Sequence, residues 1–121
     1  MWVIIAGSRG ISGVDIVQEA VNNSGFKNEI EGVVCGMAKG VDMSGYEWAI
    51  KNKKKVEIFP ANWDKHGKRA GYLRNVEMGE FGDALIAIWD GTSRGTAMMI
   101  DIMERKRKAI YIHKMYGQEE Y

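Results

Sequence analysis

The sequence predicts an α/β fold: one domain in which short parallel strands alternate with helices. Three observations carry this expectation. Five short apolar runs, rich in β-branched residues, are separated by stretches of helical periodicity along 121 residues, and such alternation gives a parallel sheet with right-handed crossovers. The runs are apolar nearly throughout instead of alternating, as in strands covered on both faces. Of the fifteen glycines, several fall just after those runs, where a parallel sheet builds its ligand site.

Trp2 to Ala6 is the first strand, broken by Gly7-Ser8-Arg9-Gly10. From Gly13 to about Asn23, Val14, Val17 and Val21 recur at helical spacing beside Ile16 and Ala20. This is an amphipathic helix, closed by Asn22-Asn23-Ser24-Gly25. Gly32 to Cys35 is the second strand, Gly36 to Gly40 its loop, and Val41, Gly45, Trp48 and Ala49 one face of the second helix. Lys51-Asn52-Lys53-Lys54-Lys55 reads as a solvated helix end whose cations complement the helix dipole. Val56 to Phe59 is the third strand, stopped by Pro60. Ala61 to Gly82 is irregular at first and helical in its second half. Ala84 to Trp89 is the fourth strand, and Asp90 to Thr96 a second glycine-bearing loop. Met98, Met99, Ile102 and Met103 mark a helix ending in Arg105-Lys106-Arg107-Lys108, and Ala109 to His113 is the fifth strand. Lys114 to Tyr121 reads as a frayed polar tail. No repeat or linker divides the chain, so residues 1–121 are read as one domain.

Composition narrows the function classes. At 27% charged and 45% hydrophobic residues, the balance is that of a globular domain and excludes disorder, collagen and coiled coil. Lys plus Arg is 17 and Asp plus Glu 16, a net charge of +1. That is too even for a basic nucleic-acid module, so nucleic acid is not the expected partner. No apolar run approaches the roughly 18 residues of a membrane span. Met1 to Gly7 lacks the positive region of a secretory signal. Cys35 alone makes no internal disulfide, and no Cys/His cluster suggests zinc, so no metal is expected. A bacterial cytoplasm is the expected location, with a virus-encoded origin left open.

Five motifs stand in order after the strands: Gly7-Ser8-Arg9; Gly36-Met37-Ala38-Lys39-Gly40-Val41-Asp42; Phe59-Pro60-Ala61-Asn62-Trp63; Ala70-Gly71-Tyr72-Leu73-Arg74-Asn75-Val76-Glu77-Met78; and Trp89-Asp90-Gly91-Thr92-Ser93-Arg94-Gly95-Thr96. Together they resemble the SLOG superfamily of Rossmann-like proteins, and within it the YspA/YpsA-related group. That superfamily also holds the LOG phosphoribohydrolases, the DNA-processing protein DprA and molybdenum-cofactor carriers. The resemblance covers nearly the whole chain. It implies a doubly wound, five-stranded parallel sheet in the order 3-2-1-4-5, helices on both faces, and a nucleotide or nucleotide-derived ligand across the carboxyl ends of the strands. General rules for open α/β sheets place a ligand in the same crevice.

Each motif has a binding reading and a plainer one. In Gly91-Thr92-Ser93-Arg94-Gly95-Thr96, a turn at a helix start exposes backbone N–H groups that favour a phosphate. The hydroxyls of Thr92, Ser93 and Thr96 and the charge of Arg94 add to it. The competing reading is a helix capped by Ser93 or Thr92. Gly7, Gly10 and Gly13 are spaced Gly-x-x-Gly-x-x-Gly, not as the dinucleotide fingerprint. Ser8 and Arg9 are expected to face the crevice, Arg9 holding a phosphate or carboxylate with two bonds or serving as a surface arginine. Gly36 and Lys39 belong to the next candidate loop, Lys39 with solvation as its other role. Asp42 either accepts from a ribose hydroxyl or is a first-turn acid favoured by its helix N-terminus. Arg74 matches, by resemblance, a helix arginine that takes part in LOG catalysis, and otherwise pairs with Glu77 on the helix surface. Asn75 is placed to read a base or ribose edge.

One departure from the LOG pattern bears on chemistry. Where those enzymes carry a glutamate that assists departure of the base, this chain has Met99, which moves no proton. Asp90 is the remaining acid at a strand end. Cys35 reads as a small buried hydrophobe, His66 and His113 as surface histidines, and Trp63 and Trp89 as candidates to stack on a base or pack the core. The expected function is therefore binding of a nucleotide or ADP-ribose-like molecule, as a sensor or as a sponge for a nucleotide signal. No cofactor beyond that ligand is expected. The alternative is an N-glycosidic or phosphoribosyl hydrolase with Arg74 as stabiliser and Asp90 or Asp42 as acid. By resemblance, a homodimer or homotetramer is expected, with Met98, Met99 and Met103 as packing or a dimer face.

Overall fold

The computed structural model describes residues 1–115. It contains strands β1 (Trp2–Gly7), β2 (Gly32–Cys35), β3 (Lys55–Ile58), β4 (Ala84–Trp89) and β5 (Ala109–Lys114). Its helices are α1 (Val14–Ser24), α2 (Val41–Lys51), the single turn α3 (Trp63–His66), α4 (Ala70–Phe81) and α5 (Arg94–Arg105). The five strands pair in parallel in the order β3-β2-β1-β4-β5, which is the order and orientation expected.

Strand residues divide between two cores because successive side chains point to opposite faces. On one face Val3, Ile5, Val33, Cys35, Ile86 and Ile88 meet Val17, Ala20 and Val21 of α1 and Val41, Trp48 and Ala49 of α2. On the other, Ile4, Ala6, Val34, Leu85 and Ala87 meet Met78 of α4 and Met99, Ile100, Ile102 and Met103 of α5. Helices thus cover both faces, and β1 and β4, buried on both sides, are apolar nearly throughout. The chain passes from one face to the other between β3 and α4, the stretch that lacked clear periodicity.

Several boundaries differ from the sequence reading. β3 begins at Lys55, not Val56, and is largely exposed, because it lies at the sheet edge, where one side has no strand neighbour. Phe59 still donates its N–H to Cys35 O at 2.9 Å. Arg94, Gly95 and Thr96 form the first turn of α5 rather than loop. Lys114 belongs to β5, paired with Trp89; the rest of the expected tail, residues 116–121, lies outside the described residues. His113 is buried, not superficial, its Nδ1 3.2 Å from the Tyr111 hydroxyl.

Lys108 has a role the sequence did not disclose. Beyond the end of α5, its Nζ donates to the carbonyls of Gly79 (2.8 Å), Glu80 (3.2 Å) and Gly82 (2.8 Å). These lie in and just past the last turn of α4, where carbonyls lack helical partners and carry the negative end of the dipole. Lys108→Met is therefore expected to destabilise the fold by about 1–2 kcal/mol in urea denaturation; an unchanged midpoint would contradict this role.

Candidate functional site

At the carboxyl end of the sheet, β1 is the strand at which chain direction divides. From β1 the chain runs through α1 to β2 on one side, and β4 pairs with β1 on the other. The loops leaving β1 and β4 therefore part, and a cavity of about 450 Å³ opens between them. Gly7 permits the close approach beneath it: a methyl group there would lie 2.0 Å from Ile88 O. Beyond Gly7, Ser8 N–H bonds Ile88 O at 3.1 Å, and the buried Ser8 hydroxyl accepts the Asp90 N–H at 3.0 Å. Ser8 thus ties the two loops together instead of facing the crevice.

The second wall comes from the loop after β2. Gly40 has φ 81° and packs against the carbonyls of Ser8 and Arg9, where a methyl group would come within 2.5 Å. Val41 N–H reaches Ser8 O at 3.3 Å. This contact starts α2 beside the first loop and brings Asp42, in the first turn, back toward the strand ends. Asp42 is 6% exposed. It accepts from the Ala38 N–H at 3.4 Å. Burial pushes its carboxyl up to about 6, against the opposing pull of Arg74, the nearby Ala38 and Gly7 amides and Arg9. Asp42 is the first-turn acid of α2, and it lines the cavity.

Arg74 reaches the same place from α4. Its Nη1 donates to Gly36 O, and its Nε donates to Asn75 Oδ1 at 3.0 Å. It does not pair with Glu77. Gly36 lies against both charges: a methyl group would stand 2.8 Å from Arg74 Nη1 and 2.9 Å from Asp42 Oδ2. Burial lowers the Arg74 pKa from its usual range, while Asp42 acts to raise it. The buried Asn75 amide donates to Met98 Sδ at 3.5 Å.

The third wall is the start of α5. Asp90 Oδ1 accepts the N–H groups of Thr92 (2.8 Å) and Ser93 (3.0 Å) and the Thr92 hydroxyl (3.1 Å). These bonds fold the turn and hold the Asp90 carboxyl below its usual range. Asp90 is thereby committed to its ionised form, which counts against the expectation that it donates a proton. Ser93 makes no side-chain cap; its hydroxyl lies 3.1 Å from Thr96 Oγ1. The first intrahelical bond is Ala97 N–H to Ser93 O, so the amides of the preceding turn stand at the positive end of α5 beside the cavity.

Gly7, Arg9, Asp42, Arg74, Asn75, Asp90, Ser93, Arg94, Gly95 and Thr96 all line this one cavity. Five other candidates do not. Ser8 is turned inward as a tie, and Gly36 packs against Arg74 and Asp42 without lining the cavity. Lys39 is exposed, while Gly91 (φ 91°) and Thr92 form the turn around Asp90. Ala6, Gly10, Ala38, Met78 and Met99 complete the lining and were not singled out for it, since small and apolar residues carry no motif. Met99 forms buried apolar wall. Trp63 is exposed, and Trp89 packs on the second core with its Nε1–H on Ser93 O at 3.1 Å. Cys35 is fully buried and its thiol is pushed up to about 12, so it is inert as a nucleophile. Among the described residues, no cluster of His, Cys, Asp and Glu is arranged to hold a metal ion. No helix among them is long and apolar enough to cross a membrane.

Sheet order, helices on both faces and a crevice at the switch point define a Rossmann-like α/β domain of the SLOG type. The chain belongs to the YspA, cpYpsA-related SLOG family, whose profile matches residues 1–66. It is similar to the Gene 61 protein of Mycobacterium phage D29, 40% identical over 70 residues, which cover 53% of this chain and 56% of that protein. In three dimensions it resembles the X-ray structure of DNA processing protein A (DprA) from Streptococcus pneumoniae, with a TM-score of 0.69 and 18% identity. That superposition covers 93% of this chain and 49% of that one. The chain thus matches only about half the length of each relative.

The Asp42 environment makes stability depend on pH. With its pKa raised from 3.8 to about 6, the folded protein holds a proton that the unfolded chain releases between those values. Stability from this group is present below about 3.8 and is lost as pH rises to about 6. The loss is on the order of 2–3 kcal/mol. In urea denaturation at pH 4 and pH 7.5, Asp42→Asn is expected to remove this part of the pH dependence. Parallel profiles for wild type and variant would show that Asp42 is not buried as described.

Proposed function

We propose that the cavity binds the phosphate-bearing part of a nucleotide or nucleotide-derived ligand, and that the protein is a binder, a sensor or a sponge, rather than a hydrolase. The observation that carries this is the N-terminus of α5, with Gly95 and Thr96 in its first turn, opening into the cavity that Arg9, Arg74 and Arg94 line. Backbone N–H groups and a helix dipole favour an anion there, and arginine can add two parallel bonds to a phosphate. Asn75 and Asp42 supply hydrogen-bonding groups for a ribose or base. The buried Met99 in the glutamate's place argues for holding the ligand intact.

This reading includes a homo-oligomer, to be read by light scattering, and a bacterial cytoplasmic setting; the phage relative agrees with a virus-encoded origin. Heat-denaturing the purified protein and analysing the supernatant by mass spectrometry is expected to release a nucleotide derivative, with less released from Arg74→Ala. If no nucleotide is released and none in a broad panel raises Tm, the proposal fails.

One observation favours a second reading. Asp42 is an acid with a pKa of about 6 inside the cavity, close to what general acid catalysis near neutrality requires. An N-glycosidic hydrolase would then use Asp42, one of the two acids weighed for that role, with Arg74 as stabiliser. Chromatography of a nucleotide panel tests this: base release abolished by Asp42→Asn would support it, and no release from any nucleotide would remove it.

A further inference from the structure

One buried acid shares the strand-end cavity with three arginines, and none of them neutralises it. Arg9 follows β1, Arg74 belongs to α4 and Arg94 starts α5, and all three line the cavity with the Asp42 carboxyl. Among the described residues the ion pairs are Met1 with Glu31 and Arg105 with Asp101; Asp42 and Arg74 form none. Arg74 is held instead through Nη1 by Gly36 O and through Nε by Asn75 Oδ1. The hydrogen bond that Asp42 accepts from the Ala38 N–H is long, at 3.4 Å. The charged and titratable groups that face Asp42 are Arg74 from α4, Arg9 after β1 and, at the end of β2, the buried Cys35 thiol, which stays uncharged. Asp90 and Arg94 line the same cavity from the β4–α5 side, and neither histidine lines it.

An anion drawn into this cavity by the arginines and the α5 N-terminus meets a carboxyl that is already buried. Two like charges a few ångströms apart in a partly buried site repel strongly enough to cost on the order of a hundredfold in affinity. A proton on Asp42 removes that repulsion. It also turns one carboxyl oxygen into a donor toward the anion, while the other still accepts, from a ribose hydroxyl for instance. Burial pushes this carboxyl up to about 6, and a neighbouring negative charge acts in the same direction. We propose that Asp42 sets the charge the cavity accepts: an anion enters together with one proton, taken from solvent onto the Asp42 carboxyl, and leaves with it. This rests on the anion-binding reading above and adds the residue that governs its charge preference.

Inorganic sulfate is the probe, because its charge is constant between pH 5 and 8 whereas a phosphate monoester itself titrates in that range. Sulfate affinity, read from the amide shifts of ¹⁵N-labelled protein, is expected to weaken at least about tenfold from pH 5.5 to pH 8. At pH 7 the ¹³Cγ shift of Asp42 is expected to move from the carboxylate toward the carboxylic acid position as sulfate is added. Asp42→Asn, which keeps the shape and a donor without the charge, is expected to bind sulfate at pH 8 about as tightly as the wild type does at pH 5.5. If sulfate binds with the same affinity at both pH values, or if Asp42 Cγ stays at its carboxylate position, the proposal is overturned although the anion site stands. A pH dependence that persists in Asp42→Asn would likewise overturn it, since another group would carry the proton. If sulfate shifts no cavity amide at any pH, the anion reading fails and this inference falls with it.

Discussion

The change of winding at β1 is the constraint on which the site depends. The chain lays β2 and β3 on one side of β1 and then β4 and β5 on the other, so the carboxyl end of β1 lies where the two halves of the sheet part company. No connection can cross that point without blocking one of the two loops, and the sheet leaves a crevice there for topological reasons. The glycine at the end of β1 lets the backbone lie on Ile88, and Ser8 then ties the loop to Asp90. The loop after β2 closes on the same residues through Gly40 and Val41. Three walls therefore converge because the strand register is fixed, before any charged side chain is considered.

The charges then work against stability. Asp42 is buried close to the ends of β1 and β2, and its ionised form is disfavoured there despite Arg74 and two backbone amides. Buried charges of this kind are expensive to keep, and polar groups with displaced pKa values concentrate at functional sites. Asp90 offers the contrast: a carboxylate of the same chemistry, at the end of the neighbouring strand, spent on folding the turn before α5. Both acids line the cavity, but one is spent on shaping its loop and the other is held protonation-prone by burial; only their surroundings distinguish them.

Much of this was legible in the sequence, for definite reasons. β4 could be bounded to the residue because a buried strand is a continuous apolar run, here bracketed by two aspartates. β3 was misplaced by a residue because an exposed edge strand carries a weaker apolar signal. Arg9, Arg74 and the Asp90–Thr96 segment could be placed near one another from motif order at the strand ends. The inward turn of Ser8 was not legible, since a hydroxyl beside a glycine looks the same whether it meets a ligand or a neighbouring loop. Lys108 read as one cation among four, because its acceptors lie 26 to 29 residues away on another helix. Likewise, no periodicity in Ala61–Arg69 announces where α3 settles against α4.

The most direct test of the central claim, that the α5 N-terminus receives a nucleotide phosphate, is the amide spectrum of ¹⁵N-labelled protein titrated with AMP. The account predicts that the largest shifts fall on the amides of Arg94, Gly95 and Thr96, with smaller ones at Gly7 and Ala38. Shifts confined to the opposite end of the sheet, around Lys53 and Arg107, or no shift at millimolar AMP, would contradict it.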